Sequence, residues 1–389
     1  MKILVLTSRF PYPLEKGDKL RAYHQIRELS GRHQVILYSI TENRIQKKWD
    51  DEIGKVTYYH QASYLTPLQK LSGMLRGFMN ALPFQVNYFY SKKRKLAVDR
   101  LITRFNPDVI YCQLIRMSEY VKDVPTPKVL DYMDTFSKGI QRRMQQQPFY
   151  LKGVYAMEYS RLLHYEKSIY DAFDASVIIS AADRNALPVE PEKPVTVVRN
   201  GVNFDYYNPL PDAKKSFDLV FTGNMSYPPN VSAVLYLHHE ILPLVKNTFP
   251  NVRVMIAGAN PVHRIRELNS ENFVVTGWVE HMNVCYAQSK IFIAPMLIGT
   301  GLQNKLLEAM AMELPCITSP LVNQSLDAKP GKEILVAGST EEYAEWIVRL
   351  LKEPDFARTV AREGHAFVKQ NFSWEKTTEK LMEIMEGGE

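Results

Sequence analysis

The segment spanning residues 298–315 combines glycines with a lysine and a glutamate at helical spacing. Gly299 and Gly301 precede a helical pattern that contains Lys305 and Glu308. Glycines let backbone N–H groups approach an anion closely, and the positive end of a helix dipole favours phosphate. On a helical wheel the two charged residues lie together, away from an apolar stripe. The lysine can therefore neutralise a phosphate while the carboxylate accepts hydrogen bonds from sugar hydroxyls. The alternative is a solvated i,i+3 ion pair worth roughly 0.2–0.5 kcal/mol.

Three polar residues follow short apolar runs in the first half of the chain. They are Gln113, Arg116 and Asp134. Because ligands of open parallel sheets bind beyond the carboxyl ends of strands, all three are candidate contacts of a second substrate. Asp134 would orient an acceptor hydroxyl, or alternatively act as the N-cap of a helix that begins near Phe136. Arg116 would contact an anion, or alternatively form a surface ion pair.

Apolar runs rich in β-forming residues alternate with helical patterns along the whole chain. This alternation predicts an α/β protein with parallel sheets built from strand–helix–strand units. The predicted strands are Ile3–Thr7, Gln34–Ser39, Val109–Cys112, Val129–Tyr132, Ser176–Ile179 and Thr196–Val198 in the first half, and Asp218–Thr222, Arg253–Ala257, Phe273–Thr276, Ile291–Ala294 and Pro315–Thr318 in the second. Each half thus has enough strands for its own doubly wound, Rossmann-like sheet. Two such domains would face each other across a cleft that holds the substrate.

Length and charge both divide the chain into two parts. At about 150 residues per domain, 389 residues predict two to three domains. The proline-containing segment 203–212 suits an interdomain linker, which places the boundary near residue 205. Residues 1–200 carry 31 Lys and Arg against 20 Asp and Glu, whereas residues 201–389 carry 17 against 22. The basic half is suited to an anionic partner, and charge alone does not identify it.

Composition excludes several classes of protein. No apolar run approaches the roughly 20 residues needed to span a bilayer, and the N-terminal run is too short for a signal peptide. Cys112, Cys285 and Cys316 lie far apart without paired or metal-like spacing, which favours a reducing compartment. No motif that reads DNA or RNA accompanies the basic charge, so nucleic acid is not an expected partner. We therefore expect a cytoplasmic protein.

The glycine-containing segment resembles a known family. Residues 299–311, with the sequence Gly-Thr-Gly-Leu-Gln-Asn-Lys-Leu-Leu-Glu-Ala-Met-Ala, and residues 314–319 are similar to the donor-site signature of family 4 glycosyltransferases of GT-B fold. Further matches are Arg199-Asn200-Gly201-Val202, Phe221-Thr222-Gly223-Asn224-Met225 with Pro228-Pro229-Asn230, Ile256-Ala257-Gly258-Ala259-Asn260-Pro261, Val275-Thr276-Gly277-Trp278-Val279 and Phe372-Ser373-Trp374-Glu375. The opening Phe10-Pro11-Tyr12-Pro13 with Lys16-Gly17-Asp18-Lys19 resembles bacterial sugar transferases linked to exopolysaccharide assembly.

The resemblance implies an acceptor domain at 1–204 and a donor domain at 205–371, with a C-terminal helix, 372–389, packing back on the first. The donor would be a nucleotide-diphosphate sugar, used as a co-substrate, and no cofactor is implied. Roles carried over from the family would place Glu308 at the ribose hydroxyls and Lys305 at the diphosphate. The remaining donor contacts would be Lys16, Gly17, Gly223, Asn224, Val279, Gly299, Thr300, Gly301 and Leu302, of which Val279 would touch the base.

The sequence departs from the family pattern at two places. Many relatives have a glutamate eight positions before Glu308, where this chain has Thr300, so the donor sugar cannot be inferred from that position. Relatives also often carry Arg and Lys after the first strand of the donor domain, where this chain has residues 224–228 without a basic side chain. Neutralisation of the diphosphate would then depend on Lys305, backbone amides and basic residues of the first half, such as Arg9 or Lys16.

The expected chemistry is retaining and independent of metal. A Walker loop, a Gly-x-Gly-x-x-Gly fingerprint and a zinc-type histidine pair are missing from the sequence, which disfavours ATPase, dehydrogenase and zinc-dependent reactions. Members of the resembled family retain the anomeric configuration, with the donor phosphate assisting the acceptor hydroxyl. Catalysis would then consist largely of electrostatic stabilisation of the leaving diphosphate, with Lys305, Glu308 and Asp134 as the catalytic candidates.

Residues 63–95 have two interpretations, one of which is contact with a membrane surface. Residues 63–90 contain no Asp or Glu, and their apolar residues fall on one helical face: Leu68, Leu71, Leu75, Phe78, Met79 and Leu82. The basic run 92–95 follows, as is typical of a helix lying on anionic lipid at the inner face of a membrane. The alternative, which we favour at this point, is a core-packing helix followed by a solvated basic turn.

The sequence therefore predicts a hexosyltransferase of surface polysaccharide synthesis that acts on a glycan or lipid-linked acceptor. Two alternatives remain open. A nucleotide-sugar epimerase of the same fold would form a product from the nucleotide sugar without any acceptor. A non-catalytic nucleotide-sugar-binding subunit would bind the donor without turnover.

Overall fold

Two compact α/β units make up the protein. A computed structural model describes residues 1–145, 147–189, 193–298 and 302–387. Unit 1 comprises residues 1–200 together with 377–389, and unit 2 comprises residues 201–376. The predicted boundary at 204/205 lies a few residues beyond Asn200, where the structure divides the chain.

Unit 1 is built around a parallel sheet. Its described strands are β1 (Lys2–Thr7), β2 (Gln34–Thr41), β3 (Tyr59–Tyr64), β4 (Val109–Gln113), β5 (Lys128–Asp131), β6 (Ala175–Ile178) and β7 (Val195–Val197). Their order is β3-β2-β1-β4-β5-β6-β7, and every neighbouring pair is parallel. The order reverses direction between β1 and β4, so the carboxyl ends of these two strands flank the position where doubly wound sheets bind ligands.

Helices of unit 1 bury apolar residues against the sheet. They are α1 (Gly17–Ser30), α2 (Lys47–Gly54), α3 (Pro67–Met79), α4 (Phe84–Phe89), α5 (Lys92–Phe105), α6 (Phe136–Gln145), α7 (Phe149–Asp171) and α8 (Ala181–Arg184), with a 3₁₀ turn at Ile115–Tyr120. The last part of the chain also belongs here. Leu381, Met382 and Met385 of the C-terminal helix join a core that includes Ile3 and Val5 of β1.

Unit 2 repeats the same plan. Its described strands are β8 (Phe217–Thr222), β9 (Val254–Ala257), β10 (Phe273–Gly277), β11 (Ser289–Ala294), β12 (Cys316–Thr318) and β13 (Leu335–Val336), in the parallel order β10-β9-β8-β11-β12-β13. Its helices are α9 (Pro228–Tyr236), α10 (Leu242–Lys246), α11 (His263–Arg266), α12 (Met282–Ala287), α13 (Asn304–Ala311), α14 (Pro320–Leu326), α15 (Thr340–Lys352) and α16 (Pro354–Asn371), with a π turn at Leu237–Ile241. Helix α17 (Trp374–Met385) then leads into unit 1. The carboxyl ends of β8 and β11 are the corresponding ligand position.

Two family motifs that are remote in sequence meet in unit 2. The N–H of Val202 donates to the carbonyl of Phe372 at 2.7 Å, and Val202 forms a β-bridge with Ser373. A Cβ on Gly201 would lie 2.5 Å from the backbone nitrogen of Trp374. The glycine is therefore required for this close approach of two backbone segments.

Candidate functional site

Lys305 lies in the first turn of α13, beside the carboxyl end of β8. Its Nζ donates to Oδ1 of Asn230 at 2.5 Å and lies 4.3 Å from the centre of the Phe221 ring. Asn230 is buried in α9, where its Nδ2 donates to the carbonyl of Asn224 at 2.9 Å. Neither Asn230 nor Phe221 was assigned a role from the sequence, although both lie in segments that match the family. Only the three-dimensional contact with Lys305 identifies them.

The electrostatic surroundings of Lys305 are unusual for a lysine. Burial lowers the pKa of its ammonium group to about 7, and the nearby Glu308 carboxylate opposes part of that decrease. Among the described residues, the Asn230 oxygen is the one oxygen that accepts from Nζ. An ammonium group has three N–H donors, and a second one points to Sδ of Met296 at 4.0 Å, a weak acceptor that an anionic ligand would replace. Within the described residues Nζ thus contacts Asn230 and Met296 but forms no ion pair with Glu308, so the solvated Lys–Glu pair considered from the sequence is not formed.

Glu308 is held by tyrosines instead of by Lys305. The hydroxyl of Tyr286 donates to Oε2 of Glu308 at 2.8 Å and is itself 2.8 Å from the hydroxyl of Thr222. Tyr207 forms a further side-chain hydrogen bond with the carboxylate. Burial raises the pKa of Glu308, while these hydrogen bonds act in the opposite direction. The carboxylate is thus fixed in orientation, as a group that must select particular hydroxyls would be.

Three loops at the carboxyl ends of the strands hold one another beside Lys305. The N–H of Gly223 donates to the carbonyl of Ala257, and that of Gly258 donates to the carbonyl of Gly277, both at 3.0 Å. Gly223 and Gly258 have φ values of +148° and +144°. A Cβ on Gly258 would lie 1.8 Å from the carbonyl oxygen of Gly223, and one on Gly223 would lie 3.3 Å from Nζ of Lys305. The glycines therefore keep the lysine accessible and the loops close.

The remaining predicted donor contacts occupy different positions. Asn224 follows Gly223, and its side-chain oxygen accepts from the backbone and the hydroxyl of Ser226. Val279 and Leu302 are half-buried against the core of unit 2. Gly299, Thr300 and Gly301 lie outside the described residues.

The predicted acceptor residues surround a cavity of about 290 Å³ in unit 1, which we call the charged cavity. Asp134 and Arg116 line it together with Arg9, Arg143 and Gly17. Two of its other lining residues, Leu114 and Met133, have left-handed φ values of 69° and 56°. They follow β4 and β5, and backbone strain of this kind is concentrated at functional sites.

Asp134 is not the N-cap of α6. The carboxylate of Glu166 accepts from the N–H of Ser137 at 3.0 Å and so takes that capping role. The carboxyl of Asp134 faces the charged cavity, where loss of hydration and the negative charges of Asp183 and Asp131 raise its pKa to about 6. Asp134 is therefore placed to meet a ligand, and its role in orienting an acceptor stays a prediction.

Arg116 and Gln113 differ in exposure to the charged cavity. Arg116 donates to Oε1 of Gln85 at 2.7 Å and lies over the Phe136 ring, and burial followed by repulsion from Arg9 lowers its pKa to about 10. It forms no ion pair with a carboxylate of the described residues. Gln113 is 2% exposed, and its Nε2 donates to the carbonyl of Asp18. Gln113 thus holds the start of α1 and is not among the residues that line the charged cavity, so its contact with an acceptor stays a prediction.

Lys16 and Gly17 form the start of α1. Gly17 lines the charged cavity, and a Cβ placed on it would have no atom within 4 Å. Lys16 lines a smaller neighbouring cavity of about 150 Å³ with Arg9 and Lys19. Both residues are therefore accessible, as their predicted donor contacts require.

The predicted amphipathic helix is α3, and its apolar face is exposed, which corrects the core-packing interpretation. Gly73 and Gly77 are the buried residues of α3. A Cβ on Gly73 would lie 2.7 Å from the Asn87 carbonyl oxygen, so this face approaches α4 closely. The large apolar side chains point away from it: Leu68, Leu71, Met74, Leu75, Phe78 and Met79 are all at least half exposed. The basic run 92–95 starts α5, where Arg94 is buried and donates to Gln69 of α3 at 2.5 Å.

The described ranges lack two features that would bear on the predicted partners. No helix in them is both long enough and apolar enough to cross a bilayer. No group of three or more His, Cys, Asp and Glu side chains in them is placed to hold a metal ion. Metal independence, retention and contact with a membrane surface stay predictions.

Comparisons with known proteins give the site a context. Residues 216–353 match the family model described as glycosyl transferases group 1. An uncharacterised 44.6 kDa protein in the cps region of Klebsiella pneumoniae is 22% identical, over 96% of this chain and 97% of that protein.

Solved structures are similar over the whole chain. Sucrose-phosphate synthase from Thermosynechococcus elongatus is 15% identical with a TM-score of 0.71, over 100% of this chain and 99% of that one. Anabaena Alr3699/HepE in complex with UDP is 14% identical with a TM-score of 0.68, over 100% of both chains. These similarities confirm the resemblance deduced from the motifs: the protein has the GT-B fold and carries a glycosyl transferases group 1 domain.

Proposed function

We propose, starting from a glycosyl transferases group 1 domain on a GT-B fold, that this protein is a retaining hexosyltransferase of surface polysaccharide synthesis. It transfers a hexose from a nucleoside-diphosphate sugar to a glycan or lipid-linked acceptor. The observation that carries the proposal is the state of Lys305, a half-buried lysine whose ammonium group donates to one oxygen, that of Asn230, and lies beside an oriented carboxylate. The cps region relative supports the assignment to polysaccharide synthesis.

Different side chains of unit 2 bind different parts of the donor. Lys305 binds the diphosphate, and Asn230 and Phe221 hold its ammonium group in place. Glu308, fixed by Tyr286 and Tyr207, accepts hydrogen bonds from the ribose hydroxyls. The open backbone at Gly223 gives the phosphates access to Lys305. The UDP complex of the Anabaena protein supports a UDP-sugar as the first donor to test.

The reaction needs charge stabilisation more than covalent chemistry. The bond between the anomeric carbon and the diphosphate oxygen breaks, and the nucleoside diphosphate leaves with the electron pair. The acceptor oxygen forms the new bond on the same face of the sugar, and its proton passes to the leaving phosphate. Negative charge grows on the diphosphate during this step, so an ammonium group held beside it stabilises the transition state. Asp134 orients the acceptor hydroxyl, and neither step requires a metal ion.

A ligand screen followed by one variant pair tests the proposal. A ligand that binds only the native state raises its melting temperature, so we expect one UDP-, GDP-, ADP- or TDP-sugar to stabilise the protein. Lys305→Ala should then lower turnover by about 10²–10³-fold, as removal of a transition-state donor does elsewhere. Lys290→Ala is the matched control, because Lys290 is exposed and pairs with Asp218 at the other end of β8. Equal activity in the two variants contradicts the role of Lys305.

Product analysis separates the proposal from the alternatives. A glycosylated acceptor that retains the donor's anomeric configuration, formed equally well with EDTA, supports it. A new nucleotide sugar formed without any acceptor supports an epimerase. Tight donor binding without turnover over a broad acceptor panel supports a non-catalytic binding subunit.

A further inference from the structure

A second, apolar cavity adjoins the charged cavity of unit 1. It has a volume of about 410 Å³ and lies among α3, α4, α6 and α7. Its apolar walls are formed by Met74, Phe78, Phe84, Ile140, Val154 and Tyr155. The two cavities share Gln85, Ile140 and Arg143 as lining residues. Unit 1 therefore has one continuous concave surface with a charged end and an apolar end.

The apolar end is not a gap left by poor packing. Helix α3 buries its two glycines and exposes its large apolar side chains, the reverse of a helix that stabilises a core. The start of α7 adds Phe149, which is 85% exposed, and Tyr150 and Val154, which are also exposed. Exposed apolar side chains of α3 and α7 line one cavity, and a concave apolar surface of this kind marks a site that another molecule covers.

The positive charge where the two cavities meet indicates the chemical class of that molecule. Arg116 and Arg143 line the charged cavity, and neither forms an ion pair with a carboxylate of the described residues, whereas Arg9 pairs with Asp18 at 2.5 Å. Burial is the main cause of the lowered pKa of Arg116, and repulsion from Arg9 and Arg143 adds to it while Asp18 and Glu42 oppose it. Two unpaired guanidinium groups next to an apolar cavity complement a molecule that carries an anion beside a hydrocarbon chain. Guanidinium groups bind phosphate oxygens in bidentate geometry.

We infer that this surface binds a lipid phosphate, with its phosphate beside Arg116 and Arg143 and its hydrocarbon chain in the apolar cavity. The inference rests on the proposed function, in which this molecule is the acceptor, and it selects the lipid-linked class over a free glycan. Asp134 lines the same charged cavity as the arginines, so a hydroxyl carried on the head of the lipid would reach it.

Binding of a monomeric amphiphile to the whole protein tests the inference. The probe is n-decyl phosphate, titrated calorimetrically below its critical micelle concentration, with n-decanol and inorganic phosphate as the two partial ligands. We expect n-decyl phosphate to bind more tightly than either, because each buried CH₂ strengthens binding about fourfold and the phosphate adds charged hydrogen bonds. Equal affinity of n-decyl phosphate and inorganic phosphate overturns the use of the apolar cavity.

Two matched variant pairs locate the bound probe. Arg143→Gln should weaken binding of n-decyl phosphate about tenfold and leave n-decanol unchanged, whereas Arg142→Gln, one residue away and outside both cavities, should change neither. Met74→Gln should weaken both ligands about fivefold, whereas Leu71→Gln, equally exposed on α3 but outside the cavity, should have no effect. All four positions are exposed or half exposed, so the variants should fold.

Other occupants of the apolar surface would give different results. Binding to phosphatidylglycerol vesicles but not to monomeric n-decyl phosphate, with Leu71→Gln as harmful as Met74→Gln, would show a bilayer contact and overturn the inference. Self-association abolished by Leu71→Gln would show a second copy of the chain and overturn it as well. The proposed function is judged separately by the nucleotide-sugar screen. Donor binding without n-decyl phosphate binding therefore refutes only the lipid inference.

Discussion

The ammonium group of Lys305 lies at a position where little water can hydrate it. A shift from the usual lysine pKa to about 7 means that the protonated form loses much of its stabilisation on burial. The nearby Glu308 carboxylate, the single oxygen from Asn230 and the ring of Phe221 restore only part of it. An arriving diphosphate would restore the rest, so protonation and ligand binding must be coupled.

This coupling predicts pH-dependent binding of UDP. A bound diphosphate raises the pKa of Lys305, so binding takes up a proton above pH 7 and the affinity falls there by up to about tenfold per pH unit. Calorimetry at pH 7 and 8.5, in buffers of different ionisation enthalpy, measures that uptake. Lys305→Arg should remove most of it, because arginine stays protonated. Wild-type binding at pH 8.5 without proton uptake would refute the coupling.

Substitution of Gly17 should affect activity without lowering stability. Its Cβ position is open and its φ is not left-handed, so Gly17→Ala should leave stability unchanged or raise it by up to about 1 kcal/mol. Because Gly17 lines the charged cavity, the added methyl should nevertheless weaken substrate use. Urea unfolding and kcat/KM measure the two effects. Full activity in this variant would show that no substrate approaches Gly17.

Among the elements, β4, β5 and α1 are joined by a buried polar network. Arg21 and Asp131 are both fully buried and lie 2.6 Å apart. The hydroxyl of Tyr111 donates to Asp131 at 2.5 Å, and Arg21 donates to Asn200 at 3.0 Å. This network fixes the first turns of α1 relative to the strands whose carboxyl ends carry the charged cavity.

Breaking the network should be costly. Asp131→Asn leaves the Arg21 charge buried without a carboxylate, which should lower the free energy of unfolding by about 3–5 kcal/mol. Glu363→Gln, which removes an exposed ion pair with Lys332, should cost less than about 1 kcal/mol. Urea unfolding followed by circular dichroism compares them. A loss below 1 kcal/mol in Asp131→Asn would mean that the pair does not hold α1.

The pattern of elements was largely predictable, and the exceptions have physical causes. All eleven predicted strands are present, and nine of them are central parallel strands, which are covered on both faces and read as apolar runs. Strands β3 and β13 were missed. Both lie at sheet edges; β3 is only half-buried and β13 has two residues, so neither carries such a run. The buried face of helix α3 was predicted wrongly, because apolar periodicity shows that a helix has two different faces but not which of them is buried. Gly73 and Gly77, four residues apart, did indicate a face that packs closely against another element.

The donor site was only partly predictable for a related reason. Lys305 and Glu308 stand out because they share a short segment. Their partners Asn230 and Tyr286 lie 75 and 22 residues from them along the chain and are joined to them only by the fold. Tyr286 carries no sequence signal that separates it from a core tyrosine.

The chain passes from unit 1 to unit 2 after Asn200 and returns to unit 1 after Lys376. Unit 1 therefore combines β1 with α17, two elements far apart in the sequence. Its core includes Leu381 of α17, which is fully buried with Ile3 and Val5. The core of unit 1 therefore forms fully only after α17 has been synthesised.

This arrangement predicts a local effect for a mutation near the C-terminus. Leu381→Ala should destabilise unit 1 by about 2–5 kcal/mol, the usual cost of a buried leucine. The neighbouring exposed residue provides a control, Lys380→Ala, with no expected effect. Hydrogen exchange should speed up in β1 and β4 and stay unchanged in β8. Faster exchange confined to unit 2 would contradict the packing of α17.

The contact between Gly258 and Gly223 limits how the donor loops can vary through mutation. Any side chain at Gly258 meets the backbone of the neighbouring loop at 1.8 Å, and backbone cannot be trimmed by a second substitution. In a saturation mutagenesis experiment, position 258 should tolerate only glycine, and no suppressor at position 223 should rescue it. Homologous chains should therefore either keep both glycines or rebuild both loops. The exposed residues of α3, by contrast, can change one at a time with the molecule that they contact.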